Sequence, residues 1–118
     1  MLKGSFRFKR EERLKGRNEI KDVFKKGKRI GCRGAKLFVL KNNLPGSRIC
    51  FTFSRGFTGA VERNRAKRLG REAYRSLKPS LKHGYDMILL VYPDNPEQAF
   101  TGRTDQLKYL LSKAGLMQ

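Results

Sequence analysis

Between Ala60 and Leu77 the chain reads AVERNRAKRLGREAYRSL, and this stretch constrains the rest more than any other. Plotted at about 100° per residue it is a helix of four to five turns. Arg63, Lys67, Arg71 and Arg75 climb one side at i, i+4 spacing, with Asn64 and Arg68 beside them. Ala66, Leu69, Ala73 and Leu77 form a narrow apolar stripe opposite, fit to press on a sheet. Only Glu62 and Glu72 interrupt the positive charge. Helices gain from opposite charges at i, i+4 and lose from like ones. A face that sets like charges together therefore predicts an anionic partner rather than mere solvation.

The distribution of charge says the same. The chain has 118 residues and a net charge of +18, enough length for one domain around one modest core. Met1–Lys36 carries fourteen basic against four acidic residues, and Ser54–Lys82 nine against two. His83–Gln118, by contrast, carries three against four, so the charge is arranged and not diffuse. Such a bias speaks of nucleic acid, acidic membrane surfaces or acidic proteins as partners, not of fold. No apolar run approaches the roughly 18 residues of a membrane span. MLKGSFRFKREERL lacks the apolar core and small-residue cleavage site of a secretory signal. The expectation is a cytoplasmic protein without a membrane partner, its Cys32 and Cys50 free thiols.

In chain order, Met1–Arg17 reads as a basic arm broken by Gly4 and Gly16, either frayed or anchored through Phe6, Phe8 and Leu14. Asn18 is placed to cap a short helix in which Ile20, Val23 and Phe24 share a face and which Gly27 stops. Ala35–Lys41 and Arg48–Ser54 read as strands joined by the turn-rich NNLPGS, an arrangement that predicts antiparallel pairing of the two. In the second strand Ile49, Phe51 and Phe53 point to the core, and Cys50, Thr52 and Ser54 to a smaller, more open face. In the first, either Leu37 and Val39 or Phe38 and Leu40 face inward. RGFTG (Arg55–Gly59) is a basic loop leading to the N–H groups that open the central helix, where a phosphate could sit. Pro79 ends that helix. Tyr85–Tyr92 is almost continuously apolar, as for an inner strand covered on both faces. Thr104 is placed to cap a last helix carrying Leu107, Leu110, Leu111 and Ala114, ended by Gly115. The order α-β-β-α-β-α implies a single-domain sandwich, α+β or mixed α/β.

No active site emerges from the residues. His83 is the only histidine, between Lys82 and Gly84 in a loop. Asp86, Asp94, Glu97 and Asp105 are scattered and lack the pairing that metal or acid–base work needs. Gly56 and Gly59 lack the GK[ST] ending of a Walker loop. Two cysteines without a CxxC or a histidine partner make no zinc site. Nucleic-acid binding has firmer grounds: arginine forks on one helix face for phosphates, and aromatic rings beside positive charge for unpaired bases. Phe24 and Phe38 fit that second role and fit ordinary core equally well.

The central stretch also resembles the protein subunit of bacterial ribonuclease P. Its hallmark, AVxRNRxKRxxREAYR, stands here as Ala60-Val61-Glu62-Arg63-Asn64-Arg65-Ala66-Lys67-Arg68-Leu69-Gly70-Arg71-Glu72-Ala73-Tyr74-Arg75. Arg13-Leu14, Val23-Phe24 with Gly27, Phe53-Ser54-Arg55 and Tyr85-Asp86-Met87-Ile88 extend the likeness over most of the chain. The resemblance implies a small mixed sheet with a left-handed strand–helix–strand crossover, against the usual hand. It implies a catalytic centre in a large partner RNA with Mg²⁺, which removes the 5′ leader from precursor tRNA. The protein would then grip the RNA through Arg55, Arg63, Asn64, Arg65, Lys67, Arg68, Arg71 and Arg75. A cleft with Ile20, Phe24, Phe38, Thr52 and Ser54 would hold the single-stranded leader.

Three departures from the family pattern stand out. Gly56-Phe57-Thr58-Gly59-Ala60 replaces a KxGxA loop and lacks two lysines. Ile20 replaces an aromatic. Gly70 replaces a better helix former, at about 1 kcal/mol in a helix interior. Two other classes compete with this reading, a ribosomal or nucleoid binding protein and a protein-only nuclease, and the lack of paired acids weighs against the latter.

Overall fold

The computed structural model describes residues 10–54, 59–92 and 102–118. Their elements are α1 (Arg17–Lys26), β1 (Lys28–Cys32), β2 (Ala35–Lys41), β3 (Arg48–Phe53), α2 (Ala60–Leu77), β4 (Tyr85–Val91) and α3 (Arg103–Lys113), with 3-10 turns at Arg10–Glu12 and Lys78–Ser80. The four strands form one mixed sheet in the order β1-β2-β4-β3. β1 and β2 are antiparallel, β2 and β4 are antiparallel, and β3 runs parallel to β4. The chain is thus a single-domain α+β fold, in which α2 makes the crossover that a parallel β3–β4 pair requires.

This order corrects the expected pairing of Ala35–Lys41 with Arg48–Ser54. β4 lies between them, with Phe38 opposite Ile88 on one side and Cys50 opposite Ile88 on the other. The physical reason lies in YDMILLV: a strand apolar on both faces is stable only where both are covered, so it takes the centre. β1 is a strand that sequence patterning missed. KRIGC turns only Ile30 and Cys32 partly inward, and its basic residues suit an edge exposed to water.

Strand alternation gives the sheet two unlike faces. Leu37, Val39, Ile49, Met87, Leu89 and Val91 meet Ala73, Tyr74 and Leu77 of α2 and Leu107, Leu110 and Leu111 of α3 in the main core. The opposite face holds a smaller cluster of Leu14, Val23, Phe38 and Ile88, beneath α1. That settles the inward pair of β2, since both faces are buried. The Leu14 amide donates to the Ile49 carbonyl (3.0 Å), so residues 13 and 14 lie along the free edge of β3. Within the described residues the basic arm is therefore anchored from this point.

Both flanking helices start earlier than their capping residues suggested. α1 is preceded by Gly16 and α3 by Gly102, and no side-chain cap bond forms at either. Asn18 and Thr104 lie inside the first turns instead. Pro79 stands in the 3-10 turn just after α2, as expected. The apolar stripe of α2 is rotated slightly from its expected position: Ala66, Gly70, Ala73, Tyr74 and Leu77 are buried, while Leu69 is only half-buried.

Candidate nucleic-acid interface

Because α2 buries Ala66, Gly70, Ala73 and Leu77 against the sheet, its arginines are forced outward. Arg63, Asn64, Arg65, Arg68 and Arg75 are exposed, and Lys67 and Arg71 are half-buried. Asn64, Lys67, Arg68, Arg71 and Arg75 line one shallow depression of about 320 Å³, with Glu72 the single acid among them. Phosphates can be gripped there by forked guanidinium donors without desolvating a buried charge. Arg55 lies outside the described residues.

Lys67 and Arg71 also reach round the edge of β3. Together with Arg13 and Lys15 they ring a second depression of about 230 Å³ floored by Leu14, Ile49, Cys50 and Phe51. Cys50 belongs to the sheet face that α1 covers, so the cationic helix and that face are continuous at this edge. Burial pushes the Cys50 thiol above its ordinary range, and the charge of Lys67 only partly offsets this. The thiol stays protonated at neutral pH and is no nucleophile.

α1 covers only part of its sheet face. Its Glu19 is held by Arg48 of β3 (3.1 Å), while the same guanidinium makes a fork onto Asp86, Nε to Oδ1 at 2.8 Å and Nη2 to Oδ2 at 2.7 Å. Asn42 donates to the same Asp86 (2.9 Å). Through Glu19 this network ties the first turn of α1 to β3. Beyond the helix, the cross-strand row Lys36–Leu90–Thr52 remains half-exposed, as does Ser54.

Phe38 does share the face of Thr52, as strand parity predicts, and Phe24 closes over it from α1 with ring centroids 4.8 Å apart in an edge-on arrangement. The two rings differ in access. Phe38 is 7% exposed and packs with Val23 and Ile88, whereas Phe24 is 44% exposed. Ile20 is half-buried beside them and contributes packing. The ring available to a ligand is Phe24, and Phe38 is the surface that holds it.

No comparable arrangement gathers around His83. It is exposed on the rim of a depression of about 400 Å³ with Glu11, Lys82 and the Glu12–Lys78 ion pair (2.9 Å). Among the described residues, no three His, Cys, Asp or Glu side chains converge on a point where a metal ion could be held. Nor is any described helix long and apolar enough to cross a membrane.

A one-sheet α+β domain with a cationic helix beside a half-covered sheet face defines a class of small polyanion-binding protein. A family model described as Ribonuclease P matches residues 8–115, and the chain belongs to that family. Its relatives are protein components of ribonuclease P. A ribonuclease P protein component from Borrelia turicatae is 36% identical over 104 residues, covering 87% of this chain and 91% of the relative. That from Borrelia duttonii is 43% identical over 86 residues, 72% of this chain and 75% of the relative. The fold matches a Staphylococcus aureus RNase P protein mutant with a TM-score of 0.80 at 21% identity, over 91% of each chain.

Proposed function

We propose that this subunit binds the catalytic RNA through the outer face of α2 and holds the single-stranded 5′ leader of precursor tRNA in the trough beside α1, while phosphodiester hydrolysis takes place on the RNA. The observation that carries this reading is the continuity of the two surfaces at the β3 edge, where Lys67 and Arg71 of α2 stand beside Cys50 of the trough face. One partner RNA on the helix and a substrate strand in the trough would meet there. Arg63, Asn64, Arg65, Lys67, Arg68, Arg71 and Arg75 supply the first contact. Phe24, Thr52 and Ser54 supply the second, with Phe38 and Ile20 as support.

Stacking on Phe24 and contacts to phosphates ask nothing of base identity, which suits leaders of varied sequence. Mg²⁺ has no converging set of carboxylates or imidazoles among the described residues. Glu19 and Asp86 are already engaged by Arg48. On this reading the ion belongs to the RNA. The protein's share is positional: counter-charge for two RNA backbones, and a fixed path for the strand that enters the scissile site.

The test is cleavage of precursor tRNA by the catalytic RNA at low Mg²⁺, with and without the protein. Stimulation that depends on the RNA supports the reading. No stimulation rejects it, and cleavage by the protein alone would move the chemistry into this chain.

A further inference from the structure

The trough has a direction. α1 begins at β3, where Glu19 meets Arg48 (3.1 Å), and ends at β2 and β1, where Gly27 lies against the Val39 backbone and the chain turns directly into Lys28. It therefore runs across the strands. The floor beside it follows the same line, through Thr52, Leu90, Lys36 and Gly31, which face one another in register from β3 to β1. Three strand spacings of about 4.8 Å make a floor about 14 Å wide, room for about four nucleotides stacked at 3.4 Å. A longer strand must leave over the β1 edge.

At that edge the chain concentrates cations. Lys25 and Lys26 end α1, Lys28 and Arg29 open β1, Arg33 sits in the hairpin turn, and Lys36 stands in the trough floor next to the edge strand. No Asp or Glu occurs from Val23 to Val61. Basic residues often guard a sheet edge against unwanted pairing, but that accounts only for β1. Arg33 lies in the turn, and Lys36 lies on β2, an inner strand. Neither protects an edge. Their common property is position, at the far end of the trough from α2.

We propose that the β1–β2 hairpin is a second RNA contact, which takes the phosphates of leader nucleotides upstream of those in the trough. This rests on the reading that the leader lies in the trough. With the catalytic RNA held on α2 at the β3 side, the scissile end enters there and the 5′ end emerges over β1. Arg29 and Arg33 then meet backbone phosphates with no regard for sequence. The predicted trait is a dependence of affinity on leader length.

The test uses the assembled holoenzyme with wild-type protein or the Arg29→Ala/Arg33→Ala variant. Its substrates are mature tRNA and precursors with leaders of about three and about ten nucleotides, lengths chosen to fall inside and beyond the trough. Both arginines are exposed, and a thermal melt confirms the variant's fold. Wild type should bind the long-leader precursor about 3–10-fold tighter than the short one, the scale of two solvent-exposed ion pairs. The variant should lose that advantage, with the other two affinities unchanged within about twofold and the long-leader salt slope lower by about 1.4. Arg29→Lys/Arg33→Lys should restore most of it. A variant that keeps the length advantage, or that weakens all three RNAs alike, overturns the proposal. So does a wild type with no length advantage that still prefers the short precursor over mature tRNA. A wild type that cannot tell those two apart instead defeats the leader-trough reading beneath it.

Discussion

Gly70 of α2 lies flat against the ring of Phe51 on β3. A Cβ at this glycine would stand 2.8 Å from Phe51 Cδ1 and 2.9 Å from Cε1, closer than carbon atoms can approach. The residue that looks like a weak point in the helix is thus a place where helix and sheet approach too closely for a Cβ, between Lys67 and Arg71 of the β3 edge. Gly70→Ala gains about 1 kcal/mol of helix propensity and meets an overpacking cost of about 1–3 kcal/mol. The expected net result is a lower denaturation midpoint. Phe51→Leu should recover part of the loss in a double-mutant cycle, since the two residues touch. A Gly70→Ala protein more stable than wild type would show that the contact is not limiting.

Phe24 and Phe38 should separate in a parallel pair of truncations. Phe38→Ala removes a buried ring and should cost about 3–5 kcal/mol of stability. Phe24→Ala should cost no more than the edge-on ring pair, about 0.5–1.5 kcal/mol. On the RNA side, Phe24→Ala should weaken precursor tRNA by the stacking of a base, about 1–3 kcal/mol, and leave mature tRNA unchanged. Denaturation midpoints and the two affinities check both halves. Equal effects of Phe24→Ala on the two RNAs would take it out of the leader path.

How far the amino-acid order reveals this arrangement depends on how local each signal is. The α2 stripe could be read from its helical period, although burial of Gly70 and Tyr74 in place of Leu69 rotates it slightly, and YDMILLV could be read from its unbroken apolar run. Strand neighbours could not: Phe38 meets Ile88 across fifty residues of chain, and a turn-rich link such as NNLPGS does not dictate that its flanking strands pair. β1 hid because its environment, a wet edge, asks for no apolar alternation. In the site, the arginines of α2 were evident from charge alone. The unequal exposure of Phe24 and Phe38 was not, since it depends on how far α1, packed through Val23 and tied to β3 by Glu19–Arg48, covers the sheet.

Removing charge from α2 without disturbing its packing calls for Arg63, Arg68 and Arg75, all exposed. Their triple replacement by Ala should leave the melting curve within about 1 kcal/mol of wild type, as surface changes usually do. Binding to the catalytic RNA should weaken, and the slope of log affinity against log salt should fall by about one unit per lost phosphate contact. An unaltered slope in the folded triple variant would exclude this face from the RNA interface.

Tyr74 offers a test of the core from its own chemistry. It projects from α2 into the main core, and desolvation, aided by the negative charge of Glu12, raises its phenol well above the ordinary value. The folded state therefore holds a proton that the unfolded chain releases from about pH 10. By linkage, the native state binds more protons than the unfolded state above that pH, so stability is intact below it and falls as pH rises. One such group contributes a slope of up to about 1.4 kcal/mol per pH unit. Denaturation midpoints followed from neutral pH to about pH 11, just beyond the ordinary tyrosine range, should fall more steeply for wild type than for Tyr74→Phe. The variant's absolute stability is not the readout; the difference in slope is. Parallel alkaline slopes in the two proteins would mean that the Tyr74 phenol ionises as readily in the folded protein as in the unfolded chain.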